Sequence, residues 1–403
     1  MVRTSGLLCL LTAALFAGCT SPVDQDGSTL PGTCTAEPAK LLPQKTDILF
    51  VIDNSDSMAE EQAGIARELP AFIDQLNQGG GVEQDFRVGV ITTSVYQNAL
   101  VGGRTYYQDY PEQSGRLQPV PDEAADGGVV LGSGTERMLD ASDPSLVDKF
   151  ARLIHQGTGG SGQETPFEAV RLATGPLAQV PIVSGGNGGF LRDGARLLVV
   201  VVSDEDDCSE EAPPTVHVGT DHAEDYCTEQ GDSLRPVADY YADMSALKDG
   251  QGAQREVLWA AIAPVGRTDK TADAVVVSGQ VENVDCPTSS GPGYRHREMA
   301  KLFDSELENL ASICQPTYRD SLVAIASLAA QSQTVEVMNV PDPRLLIVDV
   351  TRKDGTQESC SVSNGGISYE AAQGSAPAKV HFLGTCQRRI DDQKVEVRVI
   401  CAA

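Results

Sequence analysis

Between Ile48 and Ala330 the chain alternates short apolar runs with amphipathic stretches, and the two periodicities predict its elements in turn. "ILFVI" (48–52) predicts a strand. Behind it Ile65, Leu69, Phe72, Ile73 and Leu76 recur at i, i+4, i+7, i+8 and i+11, one face of a helix. Pro70 falls inside that face and predicts a kink or a split. "FRVGVITTS" (86–94) predicts a second strand, followed by a Gly-rich irregular stretch to about residue 140 and helices near 144–155 and 166–177. "ARLLVVVVS" (195–203) is an unbroken β-branched run, the pattern of a parallel strand buried on both faces. A helix near 235–248, a strand "EVLWAAIAP" (256–264), an insertion carrying Cys286 and Cys314, and a helix "SLVAIASLAA" (321–330) complete the series. Strands alternating with helices at this spacing predict an α/β fold, a doubly wound, mostly parallel sheet. After Gln331 "TVEVMNV", "RLLIVDVTRKDG", "AKVHFLGTC" and "KVEVRVICAA" read as short strands without a helix, so 333–403 is expected to be a small β-rich C-terminal region.

Composition adds a compartment to this picture. Residues 1–18 combine one Arg with an apolar stretch from Leu7 to Phe16, too short to span a bilayer and suited to a secretory leader. Its end, "LFAGC", resembles the lipobox of bacterial lipoproteins, which implies acylation of Cys19 and a membrane contact through lipid alone. The expected location is the bacterial cell envelope, at the periplasmic face or cell surface of the outer membrane. Residues 19–45, rich in Ser, Pro, Asp, Gly and Thr, read as a flexible tether, and 46–332 as the main domain. Eight cysteines follow Cys19: Cys34, Cys208, Cys227, Cys286, Cys314, Cys360, Cys386 and Cys401. In an exported chain without any C-x-x-C pair they predict disulfides rather than zinc. Proximity favours Cys208 with Cys227 and Cys286 with Cys314, leaving the other four to share two bridges. Acidic residues outnumber basic ones by 57 to 30, which disfavours nucleic acid and anionic lipid as partners.

The candidate chemistry sits where the two most apolar strands end. The first breaks into Asp53, Ser55 and Ser57, an oxygen on every second residue, and the second into Asp204. In open parallel sheets, loops at the carboxyl ends of neighbouring strands converge on ligands, so the two breaks predict one shared site. Carboxylates and hydroxyls without nearby His or Cys suit a hard divalent cation: Mg²⁺ first, with Ca²⁺ or Mn²⁺ as alternatives. Ser57 with Glu60 also matches a capping box, which explains neither Asp53 nor Asp204. Glu205, Asp206 and Asp207 read as a solvated acidic loop, and His217, Asp221, His222 and Asp225 as loop surface. "GTGGSG" (157–162) lacks the Lys and Ser/Thr of a phosphate-binding loop.

Asp53-x-Ser55-x-Ser57 after "ILFVI", with Asp204 after "LLVVVVS", resembles the metal-ion-dependent adhesion site of the von Willebrand factor A family over roughly residues 46–332. The resemblance implies a Rossmann-like domain and a third ligand, a threonine, from a middle loop. In "HQGTGGSGQETPFEAVRLA" (155–173) that position falls on Glu164 or Thr165, with Thr158 a further option. It also implies no enzymatic activity, and a protein partner whose acidic side chain completes the cation's shell. Two other functions compete. A structural envelope scaffold would use the ion for stability alone. A Mg²⁺-dependent phosphoryl-transfer or hydrolytic enzyme would use Asp53 as nucleophile, but position 55 is Ser and no lysine lies between Lys45 and Lys149.

Overall fold

The computed structural model describes residues 37–38, 40–41, 45–78, 84–124, 128–210, 218–219, 227, 232, 234–277, 280–372, 377–389 and 392–400. The leader, Cys19, Cys34, Cys401 and the group His217, Asp221, His222 and Asp225 lie outside them. The chain divides into two compact units, Leu42–Ser332 and a second one made of Met1–Leu41 with Gln333–Ala403.

The larger unit is built on a six-stranded sheet of β1 (Lys45–Ile52), β2 (Asp85–Thr92), β3 (Leu139–Asp140), β4 (Arg196–Val202), β5 (Val257–Ala263) and β6 (Leu310–Ser312), in the order β6-β5-β4-β1-β2-β3. Five strands are parallel and β3 pairs antiparallel to β2. Alternate side chains of the central strands enter two cores. Ile48, Phe50, Ile52, Leu198, Val200 and Val202 meet residues of α1 (Ala59–Gln78), α2 (Leu146–Ile154) and α6 (Arg319–Ala330). Leu49, Val51, Leu197, Val199 and Val201 join Phe167, Tyr240 and Met299 of α3 (Pro166–Thr174), α4 (Val237–Ser245) and α5 (Tyr294–Phe303). The helix α1 runs through Pro70 without splitting. Burial of Leu69, Phe72, Ile73 and Leu76 along one face outweighs the roughly 3 kcal/mol that an internal proline costs.

The expected fold class, a doubly wound, mostly parallel sheet of von Willebrand A or Rossmann type, is corrected by this topology. The main sheet is mixed, and several small sheets accompany it: Tyr96–Val101 with Arg104–Asp109 and Val218–Gly219, Asp122–Glu123 with Val129–Val130, and Ala274–Val277 with Gln280–Asn283. These hairpins arise in segments that sequence periodicity leaves irregular. The first turns on Gly102 and Gly103, both at positive φ, which glycine alone adopts without strain.

The second unit consists of two four-stranded antiparallel sheets around a core of Val335, Leu346, Val348, Val350, Val380 and Phe382. Part of the segment read as a tether is strand: Glu37–Pro38 pairs with Lys394–Val399, and Lys40–Leu41 with Thr334–Val337. Cys360 bonds Cys386 in this unit, while Cys208–Cys227 and Cys286–Cys314 close in the larger one. Three disulfides are the chemistry of an oxidising, extracytoplasmic compartment. Among the described residues no helix is long and apolar enough to cross a membrane.

Candidate functional site

The carboxyl ends of β2, β1, β4 and β5 lie level because the parallel ladder continues one residue past each strand. Thr93 donates its N–H to the Ile52 carbonyl (3.2 Å), Asp53 to Val202 (3.0 Å) and Ser203 to Ile262 (3.1 Å). The residues that follow the apolar runs are therefore neighbours. Asp53 is fully buried; its Oδ1 accepts from the Ser55 N–H (2.8 Å) and its Oδ2 from the Ser203 hydroxyl (2.6 Å). Ser55 Oγ lies 3.2 Å from Ser57 Oγ, and Ser57 donates to Asp204 Oδ1 (3.0 Å). The hydroxyl of Ser57 is thus engaged with Asp204 rather than spent on capping the helix that follows.

Glu164 arrives from the loop 155–165 and is 1% exposed, with neither carboxylate oxygen hydrogen-bonded. Burial, then the charges of Asp53 and Glu205, push its carboxyl well above the ordinary range. Burial likewise raises Asp53 against the opposing hydrogen bonds from Ser203 and Ser55. Asp204 is pushed up to about 8 by burial and then by Asp53. Thr165 is buried too, but both its N–H (3.2 Å) and its hydroxyl (2.6 Å) donate to the Thr93 carbonyl. Thr158 is half-buried farther back on the loop. Of the three middle-loop residues, Glu164 is the one with both oxygens outside any hydrogen bond, near Asp53.

The donor set fits a hard cation in kind. It offers carboxylate oxygens from three segments and two serine hydroxyls, with a buried carboxylate left without a protein partner. Among the described residues no group of three or more His, Cys, Asp or Glu is drawn together as a metal cluster. The carboxylates are held by Ser203, by Ser57 and by backbone, so ligation would have to include the hydroxyls.

The acidic loop after β4 is corrected from its expected solvated state. Asp206 and Asp207 are buried at the starts of two helices, where the exposed N–H groups favour negative charge. Asp206 accepts from the N–H of Arg295 (3.0 Å), at the start of α5. Asp207 accepts from the N–H of Phe167 on α3 (3.2 Å) and pairs with the Arg295 guanidinium (2.9 Å). The loop carrying Asp204 is thereby fixed to both helices.

Sequence reasoning misses Ser203, Thr93, Asn54, Ser94 and Gln62. The amide of Gln62 donates to the Asp53 carbonyl (2.8 Å) and the Gly157 carbonyl (2.9 Å), while its Oε1 accepts from the Gln156 N–H (3.0 Å). Farther along the loop, Gly160 donates to the Asn54 carbonyl (2.8 Å) and Ser161 to the Ser94 hydroxyl (2.8 Å). Position 160 needs glycine, since a Cβ there would collide with the Asn54 and Ser94 side chains. Gln62 alone carried a signal, as the one polar residue of α1 on its buried side.

No protein-family model and no curated protein matches the sequence. Among solved structures, the pilus adhesin SpaC from Lactobacillus rhamnosus GG is similar with a TM-score of 0.34 at 12% identity, over 90% of this chain and 40% of that one. Proximal thread matrix protein 1 from the mussel byssus gives 0.31 at 12% identity, over 75% and 51%. The adhesive tip pilin GBS104 from Group B Streptococcus agalactiae gives 0.28 at 11% identity, over 92% and 80%. The chain thus spans about half or less of the length of the first two. Likeness at this level does not extend to function.

Proposed function

We propose that this chain is a non-enzymatic protein-binding module of the cell envelope, held to the membrane through a lipid on Cys19, whose binding face is organised by one divalent cation. Asp53, Ser55, Ser57, Glu164 and Asp204 would hold the ion, with Thr165 supporting the loop from behind. The observation that carries the reading is the burial of Glu164 near Asp53, with both of its carboxylate oxygens lacking a hydrogen bond. Buried like charges are costly unless protonated or neutralised by a cation. An all-oxygen donor set favours Mg²⁺, with Mn²⁺ and Ca²⁺ accepted. In its residues the site resembles the metal-ion-dependent adhesion site, and by that resemblance an acidic side chain of a partner protein completes the coordination. The disulfides support an exported location.

Calorimetric titration of Mg²⁺, Mn²⁺ and Ca²⁺ into residues 20–403 tests the site. The expected result is one binding event in wild type, lost in Asp53→Ala and Asp204→Ala while both variants keep their fold. Wild-type protein that binds none of the three ions would end this reading.

One feature favours a second reading, in which the ion only stabilises an envelope scaffold. Three protein carboxylates around a dication leave a net negative site, which weakens its pull on a partner's carboxylate. The readings separate in Glu164→Thr. An ion-bridged partner binds this variant more tightly, whereas the scaffold merely loses thermal stability.

A further inference from the structure

The segment 156–162 contains Gly157, Gly159, Gly160 and Gly162, so its own conformational preferences are weak, yet it delivers Glu164 to a defined place. Its entry is fixed from outside. Gln62, on α1 and 2% exposed, spends both amide hydrogens on carbonyls of two different segments, Asp53 and Gly157, and its oxygen on the Gln156 N–H. Only an amide of this length satisfies the three groups. A carboxylate would face two carbonyl oxygens, and an apolar side chain would leave the buried Asp53 carbonyl and the half-buried Gly157 carbonyl and Gln156 N–H without this partner.

We propose that Gln62 is a positioning residue that sets the spacing between Asp53 and Glu164, and through that spacing the preference of the site among divalent cations. The inference rests on the cation-binding reading above. The tie joins the residue that begins one half of the site to the loop that carries the other, and does so without offering an atom to the ion. Mg²⁺ demands near-octahedral oxygens at about 2.0–2.1 Å, while Ca²⁺ accepts about 2.3–2.6 Å and irregular shells. Loosening the tie therefore penalises the smaller ion more.

The test titrates Mg²⁺ and Ca²⁺ separately into the full chain as wild type, Gln62→Met, Gln62→Glu and Ile65→Val. The last is a control that weakens packing on the same helix without touching the loop. Gln62→Met is expected to lower Mg²⁺ affinity by about ten- to a hundredfold, the range seen when a residue behind a metal ligand is removed, and Ca²⁺ affinity by less. The Mg²⁺/Ca²⁺ ratio then falls, while Ile65→Val leaves it at the wild-type value; a loss of stability alone would not move that ratio. Should Gln62→Met fail to fold, Gln62→Glu, close in size, gives the same reading. An unchanged ratio in a folded Gln62 variant, with binding still lost in Asp53→Ala, overturns the role of Gln62 and leaves the site standing. Absence of ion binding in wild type removes both.

Discussion

Glu164 is buried near Asp53 and Glu205 with no hydrogen bond to either oxygen, so burial and like charge hold its ionised form at a cost. Glu164→Gln is expected to stabilise the metal-free protein, on the order of 1–3 kcal/mol by denaturant titration in EDTA, and to weaken Mg²⁺ binding at least tenfold. Titration behaviour follows from the same burial. Asp204 is raised from 3.8 to about 8, so the folded metal-free protein binds an additional proton between those values. Stability from this group is present at low pH and is lost as pH rises through 8. His296, buried among Phe167 and its neighbours, goes the other way: burial lowers it from 6.5 to about 4, and its contribution is lost as pH falls through that window. From pH 6.5 upward the folded imidazole stays neutral and the unfolded one sheds only its last half proton, so the carboxylates dominate. Denaturant unfolding in EDTA should therefore show stability falling by roughly 2 kcal/mol from pH 6.5 to 8.5, and saturating Mg²⁺ should remove the decline. A flat metal-free profile over that range would contradict the assignment.

At the scale of elements, the strands bring the site together and two polar clasps hold it. The first clasp is the loop after β4, whose Asp207 is wholly buried and paired with Arg295 while bonding the start of α3. Removing one partner leaves an uncompensated buried charge. Arg295→Ala is expected to cost about 3–5 kcal/mol in global stability, measured by urea unfolding, whereas breaking the solvent-screened pair Arg344–Asp342 should leave the unfolding midpoint nearly unchanged. The second clasp is the closure of the glycine loop on Asn54 and Ser94. Gly160→Ala forces a Cβ into their side chains, so the loop must shift. The expected outcome is a loss of about 1–3 kcal/mol with a parallel fall in cation affinity. Unchanged affinity in that variant would show that the loop reaches the site independently of its seat on Asn54.

For the whole molecule, chemistry and disulfide bonding are divided between two units. The candidate site lies within Leu42–Ser332, whereas Cys360–Cys386 bridges 26 residues in the β-rich unit. Closing a loop of that length stabilises by about 2–4 kcal/mol. Replacing both cysteines by Ala should lower the melting temperature of the β-rich unit and leave Mg²⁺ affinity at the wild-type value, since distant sites add independently. The acidic excess, a net charge of −27, is a property of the entire chain; it predicts that added salt stabilises the protein and that polyanions do not bind it.

The sequence alone determined the four long strands of the main sheet, though not its short edge strands Leu139–Asp140 and Leu310–Ser312, because a continuous apolar run such as Leu197–Val202 satisfies few environments other than a strand covered on both faces. It also determined the four oxygens of Asp53, Ser55, Ser57 and Asp204, since polar residues that abruptly end buried runs mark the sheet's carboxyl edge. Adjacent cysteine pairs were legible for the same reason of proximity. Tertiary structure decided what depends on partners distant in sequence. It turned "DEDD" from a water-facing run into buried caps, because the starts of α3 and α5 supply N–H groups that no local pattern announces. It committed Thr165 to the Thr93 carbonyl and left Glu164 unbonded beside Asp53, a choice between adjacent residues that only the loop's path makes. It also drew 37–41 into the C-terminal sheets and made the main sheet mixed, because strand pairing is settled between backbones far apart in sequence rather than within either segment.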